Sequence, residues 1–195
     1  MSWPASDRYG MEPAPGCLGY VHDLLNTLSA GRPRQPDLLA DLARARDWAD
    51  RALATWSAVT GHPARQVVLD QDDVDQLRGF RDDLHERVTA GGTLDCATVV
   101  HTASASLCMG EDGRVRLAPR GTGWRYLASL ALVTALEAQC AEVWCRLKTC
   151  RNPRCAIAFY DRSRNNSGVW HDVRVCGNAA NLRAYRARQR GDLPA

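Results

Sequence analysis

Cysteine thiolate and neutral imidazole hold soft and borderline metal ions, and residues 150 to 178, CRNPRCAIAFYDRSRNNSGVWHDVRVCGN, carry two close pairs of them. Cys150 and Cys155 form one pair and His171 and Cys176 the other, with four residues inside each pair and fifteen between the pairs. So compact a pair lets one turn aim both donors at a single ion. Four such donors make the closed tetrahedral shell of structural zinc, although a two-residue interval is commoner than four. Buried free thiols are the other reading, but the intervening DRSRNNSG is polar and turn-forming and offers little core to hide them. Metal binding can supply about 10 to 16 kcal/mol to a small module, in place of that core. Catalytic zinc keeps a position for water, whereas four protein donors fill the shell. With no phosphate-loop, nucleophile-elbow or HExxH pattern in the chain, we expect no enzyme, no catalytic residue and no cofactor beyond Zn2+.

The remaining cysteines and histidines read differently. Cys140, Cys145, Cys150 and Cys155 are evenly spaced by five, but five helical residues turn by about 500°, so Cys140 and Cys145 point apart and are expected in the core. Cys17, Cys96 and Cys108 lack a close partner in sequence and are read as packing residues. His22, His62, His85 and His101 are read as surface or hydrogen-bonded core residues. The opening MSWPASDRYGMEPAPGC lacks the basic and apolar runs of an export signal, and the longest apolar-leaning run, Tyr126 to Leu136, is too short to span a bilayer. The expectation is a soluble, cytoplasmic protein with no membrane partner, in which cysteines serve as thiols or metal ligands.

The elements that must position these residues follow from periodicity. Residues 1–16, rich in proline and small side chains, read as a flexible lead-in. Leu18, Val21, Leu24, Leu25 and Leu28 share a helical face that ends at Gly31 and Pro33. A second helical pattern runs from Pro36-Asp37 to Trp56 and stops at Gly61, with room for a break inside it. Asp70 to Asp73 open a third helix, with Val74, Leu77, Phe80 or Arg81, Leu84 and Val88 inward, that stops at Gly91-Gly92. Residues 93–103 suggest a short helix, and 104–118 two strands around Glu111-Asp112-Gly113. Trp124 to about Lys148, free of glycine and proline, predicts a long central helix. Trp48, Trp56, Trp124 and Trp144 read as core residues before pocket residues. The fold class expected is mostly α with a small β-hairpin: a helical domain over 17–148, a zinc module over 149–190 and a tail over 191–195.

The residues 150 to 190 resemble the CGNR zinc-finger family, bacterial proteins regarded as stress-induced transcription regulators, whose N-terminal part is called the ABATE domain. The likeness rests on Cys150-Arg-Asn-Pro-Arg-Cys155, the run from Phe159 to Arg164, Trp170, Cys176-Gly177-Asn178 and the stretch from Arg183 to Arg188. His22-Asp-Leu-Leu-Asn-Thr-Leu28 is similar to the family's N-terminal half. Three positions depart from the pattern: His171 replaces a cysteine, and Ala179 and Asn181 replace an arginine and a lysine. The resemblance implies DNA binding, transcription regulation and an N-terminal domain that senses a signal or forms a homodimer. Asp23, Asn26 and Thr27, which match the family's helix pattern, then line a polar pocket or make a buried network.

Charge supports a polyanionic partner. Nine arginines against Asp161, Asp172 and Asp192 give the chain from Cys150 onward 9 − 3 = +6, while residues 1–149 carry 16 − 19 = −3. With Asn178 as its cap, the last helix places Arg183, Arg186 and Arg190 on one stripe with Arg188 beside it, and turns Leu182 and Tyr185 back onto the zinc module. These arginines, with Arg162, Arg164 and Arg174 from the loop, are the expected DNA contacts. A solvated basic helix, or one paired with the acidic body, is the plain structural alternative. A protein partner in transcription, docked without DNA, is the functional alternative that Ala179 and Asn181 motivate.

Overall fold

Residues 2–63, 65–91 and 101–189 are described in this computed structural model. The body consists of α1 (Leu18–Leu25), α2 (Leu42–Thr60), α3 (Gln71–Ala90) and α4 (Gly123–Cys140), with a hairpin of β1 (Ala105–Met109) and β2 (Val115–Pro119) against α4. A second two-stranded sheet, β3 (Leu147–Thr149) and β4 (Ala158–Tyr160), leads to α5 (Asn178–Gln189). The chain is thus mostly α with small β elements. Most of the short helix expected over 93–103 lies outside the described residues.

Local chemistry explains most boundaries. α3 is opened by a reciprocal cap: Asp70 accepts from the Asp73 N–H at 2.8 Å, and Asp73 accepts from the Asp70 N–H at 3.2 Å. α2 starts at Asp41, whose carboxylate takes the Arg44 N–H, rather than at Asp37. Asp37 instead holds the Leu39 N–H and the buried Arg81 guanidinium, the latter at 2.7 Å. The hairpin forms where Asp-Gly predicts it, with Gly113 at φ 73° closing a three-residue loop.

The long central helix is shorter than expected. It ends at Cys140, Glu142 turns the chain at φ 57°, and Leu147–Thr149 leave the helix to pair antiparallel with Ala158–Tyr160. That pairing is non-local, so local propensity could not show it. Cys140, the last residue of α4, and Cys145, in the 3-10 turn that follows, are consequently exposed and not in the core. Cys108 is exposed too, and Cys17 is half-buried.

The lead-in is also different from expectation. Trp3, Ala5, Ser6 and Ala14 are buried, and the N–H groups of Ala5 and Ser6 donate to Asp23 at 2.9 and 2.7 Å. A buried carboxylate needs donors, and these residues supply them together with the Trp48 indole at 2.8 Å.

Asp23 belongs to a polar row on α1 and the turn that follows it, and the row is a buried network. His22 Nδ1 accepts from the Ala14 N–H at 3.2 Å, so Nε2 carries the proton and donates to the Ala158 carbonyl at 3.0 Å. Asn26 donates to that same carbonyl and accepts from the Ala158 N–H, both at 3.0 Å, taking the place of a neighbouring strand. Thr27 receives Arg81 at 3.2 Å. Four adjacent elements are therefore tied to one helix: the N-terminal segment, α2, α3 and β4.

Burial presses His22 down to about 4 and lifts Asp23 to about 6, the latter against its hydrogen-bond donors. Between about pH 4 and 6 the folded chain keeps an Asp23 proton that the unfolded chain releases, so this part of stability falls as pH rises. From about 4 to 6.5 the unfolded chain protonates a histidine that the folded chain keeps neutral, so the His22 part rises with pH. In the native chain the two slopes nearly cancel. We expect Asp23→Asn, measured against wild type, to gain roughly 3 kcal/mol from pH 4 to 6, and His22→Gln to lose a similar amount. Urea unfolding at four pH values reads both slopes; equal slopes in the two variants would refute the assignment.

Candidate metal centre

β3 ends at Thr149 and β4 begins at Ala158, so the strand pair brings the two ends of the first cysteine loop together. Cys150 N–H donates to the Ile157 carbonyl and Cys155 N–H to that of Asn152, both at 2.8 Å. These bonds curl the loop and point both thiols inward, where they are buried with Cys176, Ile157 and Ala30 in a small separate core.

The second pair arrives on a loop built around the chain's single lysine. Lys148 donates to Asp161 at 2.7 Å and to the Asn166 and Gly168 carbonyls at 2.6 and 3.2 Å. Burial would raise Asp161, but Lys148 and the N–H groups of Ser163 and Gly168 hold it well below the usual carboxylate range. A side chain at residue 168 would stand 2.8 Å from an Asp161 oxygen, which is why glycine occupies it. Asp172 then caps a π-helical turn, Val173–Gly177, by accepting from the Val175 N–H at 2.9 Å, and its carbonyl takes the Cys176 N–H at 2.9 Å.

The outcome is a single cluster. One donor atom from each of Cys150, Cys155, His171 and Cys176 lies within 4.8 Å of the others, and Cys155 Sγ is 3.4 Å from His171 Nδ1. A tetrahedral ion with bonds of about 2.3 Å to sulfur requires edges of about 3.8 Å, so a small contraction seats it. The hydrogen bond from Cys155 draws the Cys150 thiol well below the usual thiol range, and burial pushes Cys176 up. Three thiols with one imidazole at these separations fit a metal ion. Next to His171 a cleft of about 480 Å³, bordered also by Tyr9 and Arg32, leaves the cluster open to solvent on one side.

One family model matches the chain. It is that of the CGNR zinc finger, over residues 146–189. A search of curated proteins found no match. The CGNR span starts at Arg146, which donates to the Asp161 and Ser163 carbonyls, and includes the four-donor cluster, the lysine-centred loop and α5. Its name is met here by Cys176-Gly177-Asn178, with Ala179 in the fourth place.

The arginines divide into two groups. Arg162 is engaged internally, donating to the Pro13 carbonyl at 2.6 Å and pairing with Glu12. Arg183 turns inward and donates to Asn152 Oδ1 at 2.9 Å, while Asn152 Nδ2 donates to Cys176 Sγ at 3.1 Å. Arg164, Arg174, Arg186 and Arg188 are exposed with no ion pair among the described residues, and Arg190 lies outside them. Asn178 has helical angles and does not cap; Asp172 does so six residues earlier. The π turn inserts one residue, which rotates α5 by about 100°. Arg183 therefore takes the inward place expected of Leu182 and Tyr185, which are 49% and 55% exposed.

Sequence reasoning found all four donors but not Asn152, Arg183, Lys148 or Asp161 in their supporting roles. Groups that orient metal ligands typically matter 10- to 100-fold in affinity. We expect Asn152→Ala and Arg183→Ala to lower affinity for zinc by about that factor, whereas Arg186→Ala leaves it unchanged. Competition with a chromophoric chelator at pH 7 measures this, and equal affinities in all three variants would remove the assigned role.

Proposed function

We propose that the chain is a zinc-dependent DNA-binding regulator of transcription, with a helical, ABATE-like body that senses a signal or forms a homodimer. The observation that carries this reading is the junction of metal and basic helix: Cys176 lies in the turn that runs directly into α5, so the ion fixes the direction in which Arg186 and Arg188 project. Arg164 and Arg174 extend the same charge onto the loops of the module. The CGNR match over residues 146–189 supports zinc as the ion. Cytoplasmic location accords with the reducing conditions that three thiolate ligands need. No helix among the described residues is long and apolar enough to cross a membrane. No catalytic residue is assigned, because four protein donors would fill the shell of a tetrahedral ion.

A second reading has its own observation. Val173, Val175, Leu182 and Tyr185 are all exposed on the π turn and α5, an apolar presence that phosphate contacts do not require. On this reading the finger docks to a protein of the transcription machinery without gripping DNA.

Fluorescence anisotropy of the zinc-loaded chain with a random duplex, from 50 to 300 mM salt, tests the first reading. We expect salt-sensitive binding, and a slope of log affinity against log salt that falls by about 0.9 for each of Arg174→Ala, Arg186→Ala and Arg188→Ala. Absence of salt-sensitive binding overturns it. The second reading gains if duplex binding is absent and capture of a partner is lost in the double variant Leu182→Ser, Tyr185→Ser.

A further inference from the structure

A mostly apolar cleft lies away from the four-donor cluster, between the β1–β2 hairpin, the end of α2 and one side of α4. It encloses about 630 Å³, the size of a small-molecule site. Trp56, Tyr126, Leu130, Val133, Leu117 and Pro119 supply apolar walls. His62 stacks on Trp56 at 5.6 Å, and the Arg65 guanidinium lies over the Tyr126 ring at 4.8 Å. The cleft is therefore walled by aromatic rings with one cation set on its border.

Its polar groups are few and unequally occupied. Arg116 is committed to Asp112, and Glu137 receives the Cys17 thiol at 3.5 Å. Arg65 has no carboxylate partner among the described residues, and the indole N–H of Trp56 is buried with no acceptor. Arg65 is thus the cation on this cleft that is left open to an anion. Glu137 stands eleven residues along α4 from Tyr126, about 16 Å away, so the acidic end and the Arg65 end are well separated.

The hairpin forms one wall of the cleft. Its root is held by Ser129, which takes the Arg120 N–H and donates to the Ser104 carbonyl. Toward the tip, Leu107, Met109 and Val115 share one face by strand alternation and are 76%, 75% and 57% exposed. Of these three, Met109 borders the cleft and so reports on its occupancy.

We propose that this cleft binds a small apolar carboxylate, with the anionic head at Arg65 and an aromatic or branched aliphatic body between α4 and the hairpin. The proposal deepens the sensing role given to the helical body and rests on that reading, but it does not depend on DNA binding. The zinc-loaded chain is examined without DNA, so loss of one conclusion leaves the other standing.

The probe is 2-naphthoate, with 2-naphthamide as its neutral counterpart, and the readout is the NMR signal of methionine methyl groups labelled with carbon-13. The chain has three methionines, and Met109→Leu assigns the one in the hairpin. We expect a saturable shift of the Met109 methyl and about tenfold preference for naphthoate over naphthamide. Arg65→Gln, at an exposed loop position, should abolish the preference, Glu137→Gln should not weaken binding, and Ala118→Phe, which fills the cleft, should weaken both probes. The proposal is overturned by an unsaturable or absent Met109 shift, by a preference that persists in Arg65→Gln, by weaker naphthoate binding in Glu137→Gln, or by affinities indifferent to Ala118→Phe.

Discussion

The Ala158 peptide group is held by side chains and not by a third strand. Its carbonyl accepts from both Asn26 and His22, and its N–H donates to Asn26. Because Ala158 sits three residues beyond Cys155, that contact places the first cysteine loop on the helical body. Without it the β3–β4 pair would be a two-stranded ribbon, a structure of marginal stability in water. The metal module is thus not an appended bead: it shares hydrogen bonds with α1, and its Cys155 carbonyl receives the Gly31 N–H at 3.0 Å.

The same helix explains why so much polarity is buried near the centre. Arg81 is almost fully enclosed, yet its charge meets Asp37, Asp82 and Thr27. Removing one partner of such a set leaves a charge without compensation, at a cost of about 3 to 5 kcal/mol. Satisfied groups of this kind add little net stability but fix which surfaces meet. Here they fix the N-terminal segment, α2, α3 and β4 around one turn-and-a-half of α1.

Legibility in the sequence followed the range of the interactions. The Asp70 cap and the Asp-Gly hairpin are encoded within a few residues, and the four clustered Cys and His residues within the 27 from Cys150 to Cys176, so each pattern lies on a short stretch of chain. The N-terminal segment was misread because Asp23 and Trp48, its partners, are remote in sequence and its own composition is that of a loop. The end of α4 was misread because the pairing of Leu147–Thr149 with β4 overrides a good helical composition. The orientation of α5 depended on a single inserted residue in the π turn, which periodicity counted from Asn178 cannot register.

His22 and His85 both reach the peptide that joins the first cysteine loop to β4, at the carbonyls of Ala158 and Ala156. Each thereby commits its Nε2 to a proton-donating bond, and His22 has its other nitrogen occupied as well. Docked in this way, the two imidazoles are withheld from an ion that the Cys150, Cys155, His171 and Cys176 cluster would hold.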